Sequence, residues 1–421
     1  MIPTQIQKYI SLRQTQPAIT TKKPCPTHIC CLLAFVVAAA IAMPAQTLTT
    51  LAEFDGANGA FPYYGSLVQG SNGSYYGTTL LGGATFNGTV FEITTSGALT
   101  TLYSFCSQTN CADGQGPYGG LALGFGENLY GTTINGGAND EGTVFQITPT
   151  GTLTTLYNFC SQANCSDGGA PVAGLVSASN GDLYGTTLFG GKYDSGTVFQ
   201  LTPAGKLTTL YSFCSKANCT DGYDVQSPLV RSSNGKYYGV TFGGGANGWG
   251  TVFDVTTTGK FSTLHSFAFT DGANPWGGLV QADDGDLYGT TEDGGSSNNG
   301  TVFRITETGK FATIYNFCVK LYCTDGSIPA GTLTRATSSS LYGTTASGGT
   351  GHLGTVFEIT TTGVLTTLHS FAGADGAAPY AGVVANGDLY GTTYGGGDLN
   401  CTNPPGGCGT VFSLTQQPRK E

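Results

Sequence analysis

TLTTLAEF (Thr47–Phe54) has its likenesses far downstream, in LTTLYSF (Leu99–Phe105), LTTLYNF (Leu153–Phe159) and LTTLHSF (Leu365–Phe371). Each downstream copy closes a longer unit that contains Gly-Thr-Val-Phe, but the first copy has no such unit before it. The last unit, around Gly409–Leu414, lacks a closing segment of this kind. A detached piece at one end and a missing piece at the other describe a ring whose seam falls inside a repeat. A linear stack would leave two incomplete sheet edges, each a row of unpaired N–H and C=O groups, and closing the ring removes both. The expectation is a closed all-β seven-bladed propeller with four antiparallel strands per blade. In it Thr47–Phe54 pairs with Gly409–Leu414 to complete the last blade.

The repeat supports that count. Gly-Thr-Val-Phe begins at Gly88, Gly142, Gly196, Gly250, Gly300, Gly354 and Gly409, at spacings of 54, 54, 54, 50, 54 and 55. A Tyr-Gly pair precedes each copy, from Tyr76 to Tyr390. A period near 50 is too long for one coil of a hexapeptide β-helix and suits a four-stranded blade. In the fifth unit four strands can be read at 278–282, 286–291, 300–306 and 310–317, rich in β-branched and aromatic residues and bounded by glycine turns. They are termed a, b, c and d. In strand d, Leu99, Thr101, Tyr103 and Phe105 share one face, as period two requires.

Composition agrees. Glycine supplies 67 of 421 residues, which makes the chain turn-rich, and without an every-third-residue period it is not collagen. With 39% apolar residues the chain can bury a core, so disorder is not expected. Residues 1–45 differ from the rest. Lys8, Arg13, Lys22 and Lys23 precede an apolar run, Ile29–Ala42, and then Met43-Pro44-Ala45, the pattern of a cleaved secretory signal too short for a membrane span. The expected organisation is a leader at 1–45, a propeller at 46–415 and a short polar tail at 416–421. Without the leader 12 basic residues face 26 acidic ones, a net charge of −14. Nucleic acid is therefore not an expected partner, because phosphate binding needs clustered Lys and Arg. A soluble monomer with no membrane span in the mature chain is expected.

Ten cysteines outside the leader form five close pairs: Cys106/Cys111, Cys160/Cys165, Cys214/Cys219, Cys318/Cys323 and Cys401/Cys408. Four pairs arrive with a four-residue insertion in the d–a connector: Phe105 lies eight residues before Asp113, whereas Phe267 lies four before Asp271. Disulfides closing these tongues are the natural reading in an exported chain. Zinc is the competitor, but Cys-x4-Cys is a poor knuckle spacing and histidine is scarce, so no metal is expected.

No catalytic residue or cofactor is nominated. His265 and His369 stand where other units have Tyr103, Tyr157, Tyr211 and Tyr315, and read as packing substitutes. The recurring Asp-Gly (Asp55, Asp113, Asp167, Asp221, Asp271, Asp325, Asp375) reads as a turn or cap, since catalysis needs differentiated groups; calcium is the minor alternative. Because strand direction alternates, the b–c and d–a loops share one face of the ring. The b–c loops are also where the units diverge, and binding residues concentrate on such loops. Phe86, Tyr193, Trp249 and His352 are the candidate ligand-binding residues, and aromatics beside Asn and Asp suit a carbohydrate or protein surface. The alternative is a polysaccharide hydrolase or lyase with an acidic pair such as Asp140/Glu141 or Glu292/Asp293 facing a second group across the pore mouth.

The unit LYGTT-x2-GG-x4-GTVF, followed by LTTLYSF, resembles the GloVer tandem repeat of bacterial "choice-of-anchor" surface proteins, from Thr47 to Leu414. That resemblance implies an exported bacterial protein, secreted, periplasmic or at the cell surface, with no established activity. It also implies a C-terminal anchor of some kind, and here the chain departs from the pattern: Gln416–Glu421 has no apolar tail or sorting motif. The glycine pair after strand b is similar to that of kelch propellers, a likeness of architecture that carries no function.

Overall fold

The computed structural model describes residues 46–398, 401 and 406–416; the expected leader, and the tail beyond Gln416, lie outside them. Seven four-stranded antiparallel sheets follow one another. Blade 1 has strands a Val68–Gln69, b Tyr75–Thr79, c Thr89–Ile93 and d Leu99–Ser104. Blades 2 to 6 repeat this order. Blade 7 takes Val384–Asn386, Asp388–Thr393 and Thr410–Leu414 from one end of the chain and its strand d, Leu48–Glu53, from the other. The seam is therefore where the repeat arithmetic puts it. Leu48 pairs with Leu414 and Glu53 with Thr410, and the bulge between Thr50 and Ala52 recurs at the same step of the c–d ladder in the other blades, as at Val90/Phe91.

The repeat motif is a set of packing instructions. In Tyr-Gly-Thr-Thr the glycine is required by a ring: a Cβ on Gly77 would sit 2.5 Å from Phe91 Cζ, where no side chain fits. The second threonine meets the threonine of Gly-Thr-Val-Phe inside the b–c ladder. Thr79 and Thr89 bond hydroxyl to hydroxyl at 2.8 Å, and Thr393 and Thr410 do so at 2.9 Å in the seam blade. Both hydroxyls of each pair are fully buried, so each must find a partner within the fold. The first threonine reaches the neighbouring blade, Thr78 donating to Gly119 O and Thr132 to Ala173 O, both at 3.0 Å.

Blade-to-blade packing repeats as well. The Phe ending each strand d is buried and meets edge-on the Phe of Gly-Thr-Val-Phe in the next blade. Phe105–Phe145 lie 5.0 Å apart, Phe213–Phe253 5.2 Å and Phe371–Phe412 5.3 Å. Phe54–Phe91, at 5.2 Å, closes the circuit from blade 7 to blade 1. Such edge contacts each add about 1 kcal/mol beyond simple burial. No α-helix occurs among the described residues, so none there is long and apolar enough to cross a membrane.

Candidate functional site

The two faces of the ring differ in what they expose. Among the residues whose side chains are described, the large hydrophobic ones left open to solvent are Phe86, Leu123, Phe189, Tyr193, Tyr223, Trp249, Val319, Leu321, Tyr322 and Val364. All but Leu123 and Val364 lie on b–c loops or d–a connectors. The a–b and c–d turns on the opposite face are short.

The four residues singled out in the sequence fall on four blades, and no aromatic contact joins any two of them. Phe86 and His352 occupy a left-handed turn position (φ 61° and 58°). In blades 2, 3 and 5 the same position holds Asp140, Asp194 and Asn298, whose side chains accept the amides of Gly136, Gly190 and Gly294 at 3.0, 3.0 and 3.2 Å. Tyr193 stands where Asn139 and Asn247 donate to the carbonyls of Phe159 and Phe267 at 2.8 and 3.1 Å. Trp249 stands where Asn87 and Asn299 bond back to their own loops, and its ring instead lies 4.8 Å from that of Phe269. Each candidate thus replaces a polar, loop-closing residue of a sibling blade.

The Asp-Gly repeats cap the d–a connectors. Asp113 accepts the Tyr103 hydroxyl at 2.8 Å, the Ser107 amide and hydroxyl at 2.9 Å and the Gln108 amide at 3.2 Å. Asp167 and Asp221 are held in the same way. For Asp221, burial pushes the carboxyl up, but the hydrogen bonds from Tyr211, Ser215 and Lys216 outweigh it and hold the group below the usual carboxylate range. His265 and His369 do more than fill space: their Nε2 atoms bond Asp271 and Asp375 at 3.0 and 2.7 Å. Burial pushes His265 below its ordinary value against the pull of Asp271.

All five cysteine pairs form disulfides: Cys106–Cys111, Cys160–Cys165, Cys214–Cys219, Cys318–Cys323 and Cys401–Cys408. These cysteines close loops, each sulfur bonded to its partner. Cys111 and Cys165 sit in the left-handed region (φ 52° and 50°), and their carbonyls hold the tongue to the b–c loop of the next blade. The Cys111 carbonyl accepts the amides of Gly114 and Gly137 at 2.8 and 2.9 Å, and that of Cys165 the amides of Gly168 and Gly191, both at 2.9 Å. Cys408 differs from them. It belongs to the b–c loop of blade 7, is buried, and gives its carbonyl to the Phe61 amide at 2.9 Å, tying the end of the chain to the connector entering blade 1. Spacing alone marks the sulfur partners but not these backbone bonds.

Sequence reading missed an aromatic cluster on the ring axis. The residue after the connector proline is Tyr118 in blade 2, Trp276 in blade 5 and Tyr380 in blade 7, whereas blade 1 inserts a residue and offers both Tyr63 and Tyr64. The Tyr64 ring lies 5.4 Å from Tyr118, 4.6 Å from Trp276 and 5.3 Å from Tyr380, joining four blades at one point. Beneath it a cavity of about 240 Å³ runs between glycine-paved walls, with Gly119, Gly174 and Gly277 among its lining residues. A signal was present, since this position varies within an otherwise uniform unit. Its meaning depended on which blades face each other.

The acidic pairs lie in the loops expected. Burial, then Asp140 and Asp194, push the Glu141 carboxyl up. Glu292 is buried, and Asp293 joins the ladder through its amide to Ala273 O. Among the described residues no group of three or more His, Cys, Asp or Glu side chains is placed to hold a metal ion.

The model of the Gloeobacter/Verrucomicrobia repeat matches residues 38–165 and 160–336, more than half of the chain. The chain belongs to that repeat family. No curated protein matches it. Among solved structures, this repeat protein is similar to the extracellular domain of a B. thetaiotaomicron protein described as a hybrid two-component system (TM-score 0.56, 12% identity). That likeness covers 90% of this chain but only 44% of the other, and at such identity it shows the fold alone. The chain is also similar to a periplasmic gluconolactonase of Pseudomonas aeruginosa (TM-score 0.49, 14% identity, 82% of this chain and 99% of that one). A third likeness is to a PQQ-bound aldose sugar dehydrogenase of Streptomyces coelicolor (TM-score 0.43, 14% identity, 89% and 99%). The five disulfides point to an oxidising compartment, and hence to an exported protein.

Proposed function

We propose that this protein is an exported, non-catalytic binding propeller that engages carbohydrate or protein ligands through its b–c/d–a face, after removal of the leader at 1–45. The observation that carries this reading is the asymmetry of exposure: among the residues whose side chains are described, eight of ten open large hydrophobic ones lie on that face. Scattered exposed residues need no explanation, but concentration on one face of a ring built from equivalent units does. Phe86, Tyr193, Trp249 and His352 are the proposed contact residues. Each gives up a bond that its siblings use to close the loop.

The test is thermal unfolding against a panel of glycans and peptides, since a ligand that binds only the folded state raises the melting temperature. At least one ligand should raise it, and Tyr193→Ala or Trp249→Ala should abolish the rise without lowering the unliganded melting temperature by more than a degree or two. A rise that survives Ala at all four positions would put the binding site elsewhere.

A further inference from the structure

The four disulfide tongues of the d–a connectors share a backbone and differ in what their tips show to solvent. Between the cysteines three of them read Ser107-Gln108-Thr109-Asn110, Ser161-Gln162-Ala163-Asn164 and Ser215-Lys216-Ala217-Asn218, whereas the fourth reads Val319-Lys320-Leu321-Tyr322. The fold holds this fourth tongue as it holds the others, through main-chain groups. The amides of Val319 and Lys320 donate to Asp325 at 3.1 and 3.3 Å, and the Cys323 carbonyl accepts the amides of Gly326 and Gly349, both at 2.9 Å. The side-chain replacements work against that frame. Val319 lacks the hydroxyl that Ser107, Ser161 and Ser215 donate to their aspartates, and Tyr322 occupies a left-handed position (φ 57°) that suits asparagine better. Leu321 stands where Thr109, Ala163 and Ala217 are smaller. It is 75% exposed, Tyr322 73% and Val319 56%, and among the described side chains no other large hydrophobic one is as open as the first two. Lys320, exposed between Val319 and Leu321, gives the tip its one charge.

We propose that this tongue is a docking knob for another protein, its apolar tip seating in an apolar pocket that carries a carboxylate at the rim to meet Lys320. The inference rests on the binding-face reading above and gives one connector of that face a class of partner. In the isolated chain the replacements forgo a hydrogen bond, crowd a turn and leave three apolar side chains in water; seating them in a pocket removes that exposure. The knob is also rigid beforehand. The Cys318–Cys323 bond and the Asp325 cap fix its backbone, so binding has only side chains to order. Tyrosine suits such a contact, with an apolar ring and a hydroxyl that can hydrogen-bond at the pocket edge. A lipid surface fits less well. Three apolar side chains bury no more than a single acyl chain does, which by itself gives marginal attachment. The second signal such attachment needs, a cluster of cations, is missing from a tip with one lysine on a chain with 26 acidic residues.

The Cys214–Cys219 tongue is the internal control, with Lys216 in the place of Lys320 but no apolar tip. The full chain, carrying a photo-reactive benzophenone side chain at position 321, is irradiated with surface and secreted fractions of the cells that make it, and the captured protein is identified and purified. One partner should be captured from position 321 and not from the same label at position 217. Calorimetry with the purified partner then decides. Val319→Ser with Tyr322→Asn, and separately Leu321→Ala, should each weaken binding by about tenfold or more. Lys320→Glu should weaken it as well, and Lys320→Arg should not. The double variant restores the sequence and the serine bond of the sibling tongues, so its urea midpoint should not fall, and its lost binding then cannot come from a misfolded tongue. Capture of no protein, equal capture from both positions, or a purified partner indifferent to these substitutions overturns the proposal. So does binding to vesicles of phosphatidylethanolamine and phosphatidylglycerol that Leu321→Ala removes, which would assign the tip to a membrane. In each of these cases a ligand whose stabilisation depends on Tyr193 or Trp249 would leave the binding-face reading standing.

Discussion

Four of the d–a connectors carry a disulfide tongue and a tyrosine, while two are four residues shorter and carry a histidine, yet all six end on the same Asp-Gly. In the long form the aspartate is fully buried, as at Asp113, Asp167, Asp221 and Asp325. There it accepts the tyrosine hydroxyl and two amides at the tongue, joined in three of the four by a serine hydroxyl. In the short form Asp271 and Asp375 keep about a quarter of their side-chain surface open (28% and 24%) and accept one imidazole and one amide each. The connector length decides how many donors can converge. The number of donors decides whether a carboxylate can be buried, because a charged group out of water must have its hydrogen bonds made within the fold. The seam shows the limiting case: with Ala52 in place of the tyrosine, Asp55 is exposed and exchanges bonds with Asn58.

The widest gap between the two forms should appear on deleting the carboxylate. Asp221→Ala removes the one buried acceptor shared by the Tyr211 and Ser215 hydroxyls and two amides and should cost about 3 kcal/mol, whereas Asp271→Ala, which loses one imidazole and one amide bond, should cost about 1 kcal/mol. Urea unfolding measures both, and equal losses would break the comparison. Removing a tongue's covalent closure comes next. Cys214→Ser with Cys219→Ser frees a five-residue separation and should lower stability by about 2 kcal/mol through loop entropy. Amide exchange at Ser215 and Lys216 should then rise, as the donors to Asp221 lose their fixed geometry.

The Cys318–Cys323 tongue tests the rule in the stabilising direction. Val319 there replaces the serine whose hydroxyl donates to the aspartate in the other three, and Tyr322 holds φ 57° where they use asparagine. Val319→Ser with Tyr322→Asn should raise stability by about 1 kcal/mol, read from the urea midpoint, since asparagine tolerates the left-handed region better than tyrosine.

The smallest effect is the dependence on pH. Burial holds the folded pKa of His265 below its ordinary value, so the unfolded chain takes up a proton that the native site resists. This stability is therefore complete above the unfolded value of about 6.5 and is lost as the pH falls below it. His265→Tyr should flatten that part of the stability profile. Asp221, with its pKa depressed, works at lower pH: its contribution holds above the usual carboxylate value near 4 and disappears on acidification below it.

Much of this could be read from the chain. A strand-d segment without its unit, seven copies of Gly-Thr-Val-Phe and cysteine pairs tied to a fixed insertion predict the blade number, the seam and the disulfides, because each depends on spacing within one repeat or between its ends. The candidate residues were harder. Phe86 and Trp249 could be picked out as divergent, but what they displaced became clear only against the hydrogen bonds of Asp140, Asn87 and their counterparts. His265 and His369 read as fillers, because their aspartates lie six residues away in sequence and no local pattern marks the bond. Cys111 and Cys165 could be paired, yet their second role, carbonyls that anchor a neighbouring loop, needs the fold to be seen.

Local order in this protein follows from the repeat, since neighbouring strands are neighbours in sequence and a two-residue period sorts their faces. What the amino-acid order could not specify is contact across the circle. Tyr64 reaches Trp276 only because the ring closes with seven members and brings blades 1 and 5 to one axis. Tyr223 meets the glycines beside Trp249 only because a connector from one blade lies over the loop of the next. Those distances depend on the curvature summed over every blade, which no single repeat contains.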